Sequence, residues 1–292
     1  MKQSGTKLYK VFIYLVLCLL AISIIIPVGW VFLASIKENS EFYRSPWAMP
    51  AGIYFQNFVD AWNRASMGAY VLNSIVVTAM ALSLLLVTAL PASYVLARFD
   101  FPGKRLLRQL FKGGLFINVN YIVVPIFLMF VDAQKFLTSA HVEFMPMLLN
   151  NRFMLAVVYA STALPFTIHL LSSYFITLPS TFEEAAAIDG AGYFTTMLKI
   201  MIPMAKPSII TVILFNFLSF WNEYIISFTF MTKQELRTLP VGLMNLMAAQ
   251  NAAQQYGQLY AGMVMVMLPT LILYIFVQKQ LTEGMTAGGS KE

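Results

Sequence analysis

Charge is scarce in this 292-residue chain, with Lys, Arg, Asp and Glu making up only 11% of it, against about 25% in an ordinary soluble domain. So few charges cannot cover a water-soluble surface of that size, which excludes a soluble enzyme. Hydrophobic residues reach 59%, which excludes a disordered chain. Cysteine is nearly absent: Cys18 stands alone inside an apolar run, which rules out an intrachain disulfide and a cysteine-based metal site and reads as a small buried hydrophobe. Histidine is limited to His141 and His169, and no H-E-x-x-H occurs. No G-x-x-x-x-G-K-[ST] run is present either, so nothing here would cradle a nucleotide's phosphates. With 15 Gly and 13 Pro there is neither collagen nor linker composition. The net charge of +6 is scattered between apolar runs, with no basic stripe for nucleic acid. The 18 Met lack histidine partners and read as packing or lipid-facing residues rather than metal ligands.

What is present is apolar length. Mean hydropathy is +0.72, and a spanning helix needs about 20 mainly apolar residues. Six stretches qualify, at about 11–36, 70–97, 110–131, 153–175, 207–231 and 259–277. The expectation is an all-α polytopic membrane protein, one six-span domain over 1–292. The first stretch follows Lys2, Lys7 and Lys10, but it is too long for a signal peptide's apolar core and lacks a small-residue cleavage site. It reads as a retained anchor. With the N-terminus in the cytoplasm, twelve of the nineteen basic residues fall on the cytoplasmic side, five of them from Arg98 to Lys112. The bias of Lys and Arg toward that side therefore puts both termini there.

The link between the fourth and fifth stretches, about 179–206, departs from the bias through Glu183, Glu184 and Asp189. It is long for a mere turn, and it is organised. After Pro179, Ser180 stands three residues before Glu183 and Thr181 three before Glu184, two overlapping capping boxes that predict a helix start. The run Ala185-Ala186-Ala187 favours helix and keeps the surface low enough for another backbone to approach. Gly190-Ala191-Gly192 supplies a turn, and a second helical stretch from Tyr193 ends at Ile202-Pro203.

Glu184-Ala185-Ala186, Gly190 four positions after Ala186, and Ile200-Met201-Ile202-Pro203 resemble the EAA loop of the membrane subunits of bacterial ABC importers, with Ile202 in place of the usual leucine. Asn73-Ser74, Tyr94-Val95-Leu96-Ala97-Arg98-Phe99, Trp221-Asn222-Glu223-Tyr224, Leu239-Pro240-Val241-Gly242-Leu243 and Gly284 to Gly289 look like the carbohydrate-uptake branch, in particular the smaller maltose-type membrane subunit. The resemblance covers nearly the whole chain and is weakest from Asn118 to Arg152. It implies a non-catalytic permease in the bacterial inner (plasma) membrane that imports a sugar, a di- or oligosaccharide. Its implied partners are a second membrane permease, two cytoplasmic ATPase subunits and an extracellular sugar-binding protein. ATP and magnesium would sit on the ATPase subunits, leaving this chain without a cofactor. The helix of the EAA loop would be a coupling helix in a groove of the ATPase. Its implied coupling residues are Glu183, Glu184, Ala185, Ala186, Asp189, Gly190, Gly192 and Pro203, with Glu184 the main charge-assisted contact.

Candidate pathway residues are the polar groups at membrane depth. His169, in the fourth stretch, suits either a helix–helix hydrogen bond or the pathway. Asn216 lies nearer mid-membrane. Glu223 stands sixteen residues past Pro207, roughly 24 Å at 1.5 Å per residue, where with Trp221, Asn222 and Tyr224 it could line an outer gate or receive sugar. The alternative is interfacial anchoring, with Glu223 capping or bonding a neighbouring helix. Asn118 and Tyr121 share a helical face and suit substrate contact or bundle packing alike. Pro27, Pro91, Pro125, Pro165 and Pro269 interrupt five of the six stretches and predict kinks. Competing classes are a permease for a non-sugar solute, an ion-coupled secondary transporter, which calls for internal repeats and midplane carboxylates, and an intramembrane enzyme, which the two histidines do not furnish.

Overall fold

The computed structural model describes residues 2–63, 66–139, 148–253 and 255–289; His141 lies outside them. Among the described residues there is helix and no strand. In chain order the helices are α1 (Lys2–Ser35), α2 (Asn39–Arg44), α3 (Gln56–Asn63), α4 (Met67–Arg98), α5 (Lys104–Gly114), α6 (Val119–Ser139), α7 (Arg152–Thr177), α8 (Thr181–Ile188), α9 (Tyr193–Thr196), α10 (Ile202–Met204), α11 (Lys206–Trp221), α12 (Ile225–Phe230), α13 (Leu239–Ala253) and α14 (Tyr256–Gly289). Five of them are long and apolar enough to cross a membrane, and the bent pair Tyr193–Met204 and Lys206–Trp221 makes a sixth if counted as one span.

Contacts gather the chain into two compact units, residues 1–68 with 242–269 and residues 69–241 with 270–292. In the first, the chain leaving α1 is held by a buried cation. The Lys37 ammonium donates to the carbonyls of Ser45 (3.1 Å) and Pro46 (3.0 Å) and faces the rings of Trp30 and Phe42 at 5.4 and 5.1 Å. A buried ammonium persists only with such acceptors and π faces around it. Asn57 Nδ2 then donates to the carbonyls of Ser35 (2.9 Å) and Lys37 (2.8 Å). Gly257 of α14 packs directly on that amide: a Cβ there would stand 2.5 Å from Asn57 Nδ2, so only glycine admits the approach.

In the second unit Val77, Ala81, Leu85 and Ala89 are fully buried, four residues apart and so on one face of α4. They join Leu155, Tyr159, Leu171 and Phe175 of α7 and Val212 and Phe220 of α11 in one core. Asn73 and Ser74 pin the segment before α13. Asn73 Nδ2 donates to the carbonyls of Glu235 (2.8 Å) and Arg237 (2.9 Å), and the Leu239 N–H donates to Ser74 Oγ (2.8 Å).

Three expectations change. Cys18 is exposed, not buried, because α1 turns its apolar residues outward and its most apolar 18-residue stretch has no buried residue. The third stretch, expected as one helix over 110–131, is broken. α5 ends at Gly114, successive turn bonds link Leu115 to Lys112 and Phe116 to Gly113, and Asn118 Oδ1 accepts the Asn120 N–H (3.0 Å) to start α6. Paired glycines stop the helix, and Gly114 lets Pro165 of α7 come close, since a Cβ would meet its Cγ at 2.8 Å. The fifth stretch, expected over 207–231, breaks at Asn222–Tyr224 between α11 and α12. Through Pro27, Pro91, Pro125, Pro165 and Pro269 the helices continue.

Replacing Asn57 by leucine keeps the volume but leaves two buried carbonyls without a donor, a loss of about 2–4 kcal/mol. Thermal unfolding of the purified protein should show a midpoint several degrees lower than the parent.

Candidate functional site

Helix α8 is short and finished at its C-terminus by backbone geometry. Gly190 has φ +78°, the left-handed conformation that favours glycine. Its N–H donates to the Ala187 carbonyl (3.1 Å), and the Ala191 N–H reaches the Ala186 carbonyl (2.9 Å), a Schellman close that satisfies two of the helix's last acceptors. At the other end Ser180 occupies the N-cap without a side-chain bond. The Glu183 and Glu184 N–H groups both donate to the Ser180 carbonyl at 3.0 Å. The expected capping box through Ser180 does not form, because Glu183 turns elsewhere.

The Glu183 carboxylate points to the end of α4. Tyr94 OH donates to its Oε1 (2.8 Å), and Arg98 Nε stands 3.4 Å from its Oε2. Arg98 Nη2 also donates to the Leu178 carbonyl (2.6 Å) at the end of α7. Tyr94 meets Phe99 and Phe175 edge-to-face, both at 5.6 Å, and Phe99 meets Tyr193 at 5.5 Å. One carboxylate thus ties α8 to α4, and one guanidinium ties α4 to the α7–α8 junction. The sequence signal for this clamp is Tyr94 and Arg98 four residues apart on the last turn of α4, with the acid at Glu183; the sequence reading assigns Glu183 to a partner, and Tyr94 and Arg98 to the family resemblance and the charge bias rather than to a contact with Glu183.

The other coupling candidates sort by exposure. Glu184, Ala185, Asp189, Gly190, Gly192 and Pro203 are exposed and Ala186 is buried. Around them lie large apolar side chains without cover, Ile188 at 86%, Phe194 at 78% and Tyr193 at 75% exposed. Past α9 the backbone makes a π turn over Met197–Met201, then α10, and α11 departs at 74°. Pro203 and Pro207 lack N–H groups, which accounts for the irregular ladder and the bend.

The pathway candidates fall into three places. Asn216 is buried, with Nδ2 donating to Thr167 Oγ1 of α7 (3.1 Å) and to the Val212 carbonyl (2.8 Å). Glu223 restarts the helix after α11, accepting the Ile226 N–H (2.8 Å), the Ser227 N–H (3.0 Å) and Tyr159 OH (3.0 Å). Both border a groove of about 460 Å³ with Asn120, Thr162, Phe166 and Phe215. Phe166 and Phe215 meet at right angles, centroids 6.0 Å apart. Trp221 is buried and stacks on Phe217, and Asn222 donates to the Leu218 carbonyl (2.8 Å); neither lines the groove. Asn118 caps α6, and Tyr121 is 82% exposed; they too stand outside it. His169 is exposed on α7 beside Arg108 and Lys112 of α5, in a separate notch. Thr162, Phe166 and Phe215 carried no sequence signal, whereas Asn120 belongs to the polar cluster of the third stretch, on a different face from Asn118 and Tyr121.

Residues 2–286 match the family described as "Binding-protein-dependent transport system inner membrane component". The chain is 34% identical over 285 residues to a diacetylchitobiose uptake system permease protein of Streptomyces coelicolor, covering 98% of this chain and 90% of that protein. It is 29% identical over 294 residues to a melibiose/raffinose/stachyose import permease protein of Bacillus subtilis, the whole of both chains. In structure it is similar to a chain of a bacterial ABC transporter that imports the acidic polysaccharide alginate, with TM-score 0.78 and 24% identity over 94% of this chain and 97% of that one.

Removing the Glu183 carboxylate, as Glu183→Ala, takes away a charge-assisted pair and a tyrosine hydrogen bond, each worth about 1–3 kcal/mol. Amide exchange across 181–188 should accelerate about tenfold or more, whereas Glu184→Ala should leave it unchanged.

Proposed function

We propose that this chain, which belongs to the family of binding-protein-dependent transport system inner membrane components, forms half of the translocation pathway of an ATP-driven importer for a disaccharide or oligosaccharide. Its assembly partners are a second permease subunit, two ATPase subunits and an external sugar-binding protein. ATP and magnesium belong to the ATPase subunits. The observation that carries this reading is α8: a short helix with an open apolar, small-residue surface, closed by a left-handed glycine and fixed to the bundle by Glu183.

In this account the ATPase receives Glu184, Ala185, Ile188 and the neighbouring Tyr193 and Phe194. Glu184, unlike Glu183, is exposed and offers its carboxylate to a cation on the partner. Closure of the ATPase pair moves α8 as a rigid body. The Glu183–Arg98–Tyr94 clamp passes that movement to α4, and the π turn and 74° bend pass it to α11. The groove beside α11 is where such movement would act on a cargo. Sugars present hydroxyls that need hydrogen-bond partners and ring faces that stack on aromatics, and the groove offers Asn120, Thr162 and Ser219 beside Phe166 and Phe215.

The likeness to permeases for diacetylchitobiose and for melibiose, raffinose and stachyose supports a carbohydrate cargo. The basic α5 and its neighbour α7, whose end leads into α8, support a cytoplasmic face for both α5 and α8. Both chain ends are then cytoplasmic.

Reconstituted with its ATPase, second permease and binding protein, the chain should support sugar uptake that requires ATP. Ile188→Asp or Glu184→Arg should reduce that uptake about tenfold or more, as expected for a central docking contact, with the membrane subunits still assembled. Uptake that persists without ATP, or that ignores both substitutions, contradicts the proposal.

A further inference from the structure

A second concave site lies away from the clamp and the groove. Where α5 packs along the C-terminal half of α7, a notch of about 130 Å³ opens, and its polar lining is Arg108, Lys112, His169, Ser172 and Ser173, closed at the base by Phe111. No acid lines it, and α5 itself contains none. Lys104, at the start of α5, is paired with Asp100 at 2.8 Å, so the acid nearest in sequence is already engaged. Arg108 is held in place by one bond, Nη2 to the Leu96 carbonyl (2.9 Å), which leaves its other N–H groups to point at a ligand. Ser172 and Ser173 give their protons to the carbonyls of Ser93 (3.3 Å) and His169 (2.8 Å), so Arg108, Lys112 and His169 are the side chains left to donate into the notch.

A site with two cations and an imidazole, whose neighbouring acid Asp100 lies outside its lining and is paired with Lys104, selects an anion. The surroundings narrow the class further. Phe111 of α5 and Ile176 of α7 line the notch, Phe111 half-buried and Ile176 55% exposed, so the basic cluster adjoins apolar side chains that the chain does not fully cover. A free inorganic anion would leave them bare, whereas an amphiphile with an anionic head covers both surfaces at once. The depth agrees. His169 lies eight residues before the end of α7 at Thr177, about 12 Å along the helix axis, and long Arg and Lys side chains reach outward from such a level to the lipid headgroups.

We infer that the α5–α7 notch is a binding site for an anionic phospholipid, its phosphate held by Arg108, Lys112 and His169 and its acyl chains lying against Phe111 and Ile176. The bound lipid would stiffen the junction from which α7 leads into α8, and so brace the mount of the coupling surface. This site is independent of the sugar and of the ATPase.

The experiment is native mass spectrometry of the full chain, released from nanodiscs containing phosphatidylglycerol and phosphatidylcholine in equal amounts. The parent protein should retain phosphatidylglycerol preferentially. Arg108→Gln with Lys112→Gln should lose that preference by about thirtyfold, from the contribution of two basic side chains near a lipid surface. Lys112→Gln alone, which leaves the Arg108–Leu96 bond intact, should lose about fivefold, and Arg108→Lys with Lys112→Arg should retain the preference. Equal retention of the two lipids by the parent, or undiminished preference in the glutamine variants, overturns the inference. So does stabilisation by inorganic phosphate alone that matches phosphatidylglycerol, since the ligand would then be a soluble anion.

Discussion

One carboxylate sets how this molecule can be moved. Glu183 sits in the first turn of α8, and its side chain leaves that helix to accept from Tyr94 and pair with Arg98 at the end of α4. An acid in the first turn ordinarily stabilises its own helix by facing the helix's free N–H groups. Here it bonds across to another element, and the helix start relies on the Ser180 carbonyl instead. The consequence is mechanical. A helix of eight residues has little stability by itself and could transmit no force if only a loop held it. Fastened at one end by the clamp and closed at the other by Gly190, it holds a fixed surface.

The spans around it are discontinuous where the groove beside α11 forms. α11 leaves the α9–α10 segment at a 74° bend and stops at Trp221, and Glu223 caps the next helix. α5 stops at Gly114, and Asn118 starts α6. Each break frees backbone groups that must be satisfied inside the protein at membrane depth; Asn118 takes the Asn120 N–H, and Glu223 those of Ile226 and Ser227. The residues that looked like pathway candidates in the sequence are in large part those side chains. Asn118 and Glu223 are caps, and Asn216 bridges α7 and α11. The groove that Asn216 and Glu223 border takes its aromatic and hydroxyl lining from residues with no distinguishing pattern.

Much of this was legible beforehand. Hydropathy located the apolar stretches because lipid demands length and permits few charges. The alanine run and Gly190 announced α8 and its end, because helix propensity and left-handed backbone are local properties. Other features were not legible. A run such as Leu110 to Val131 stays apolar across its break, so hydropathy cannot see that Gly113-Gly114 stops one helix and Asn118 begins another. The partner of Glu183 is 89 residues earlier in the chain at Tyr94, and a capping-box spacing reads only its neighbours. Cys18 was misjudged for a related reason: an apolar helix in lipid need not bury its residues in protein.

The central claim, that α8 and the end of α4 move as one body, is tested most directly by a distance across the clamp. Spin labels at Thr181 and Asp100, both exposed, can be introduced after the exposed Cys18 is replaced by serine, and their separation measured by pulsed electron resonance in the assembled importer with and without ATP. The account predicts the same separation in both states while uptake remains coupled to hydrolysis. A separation that changes with ATP would show α8 sliding free of α4 and contradict it.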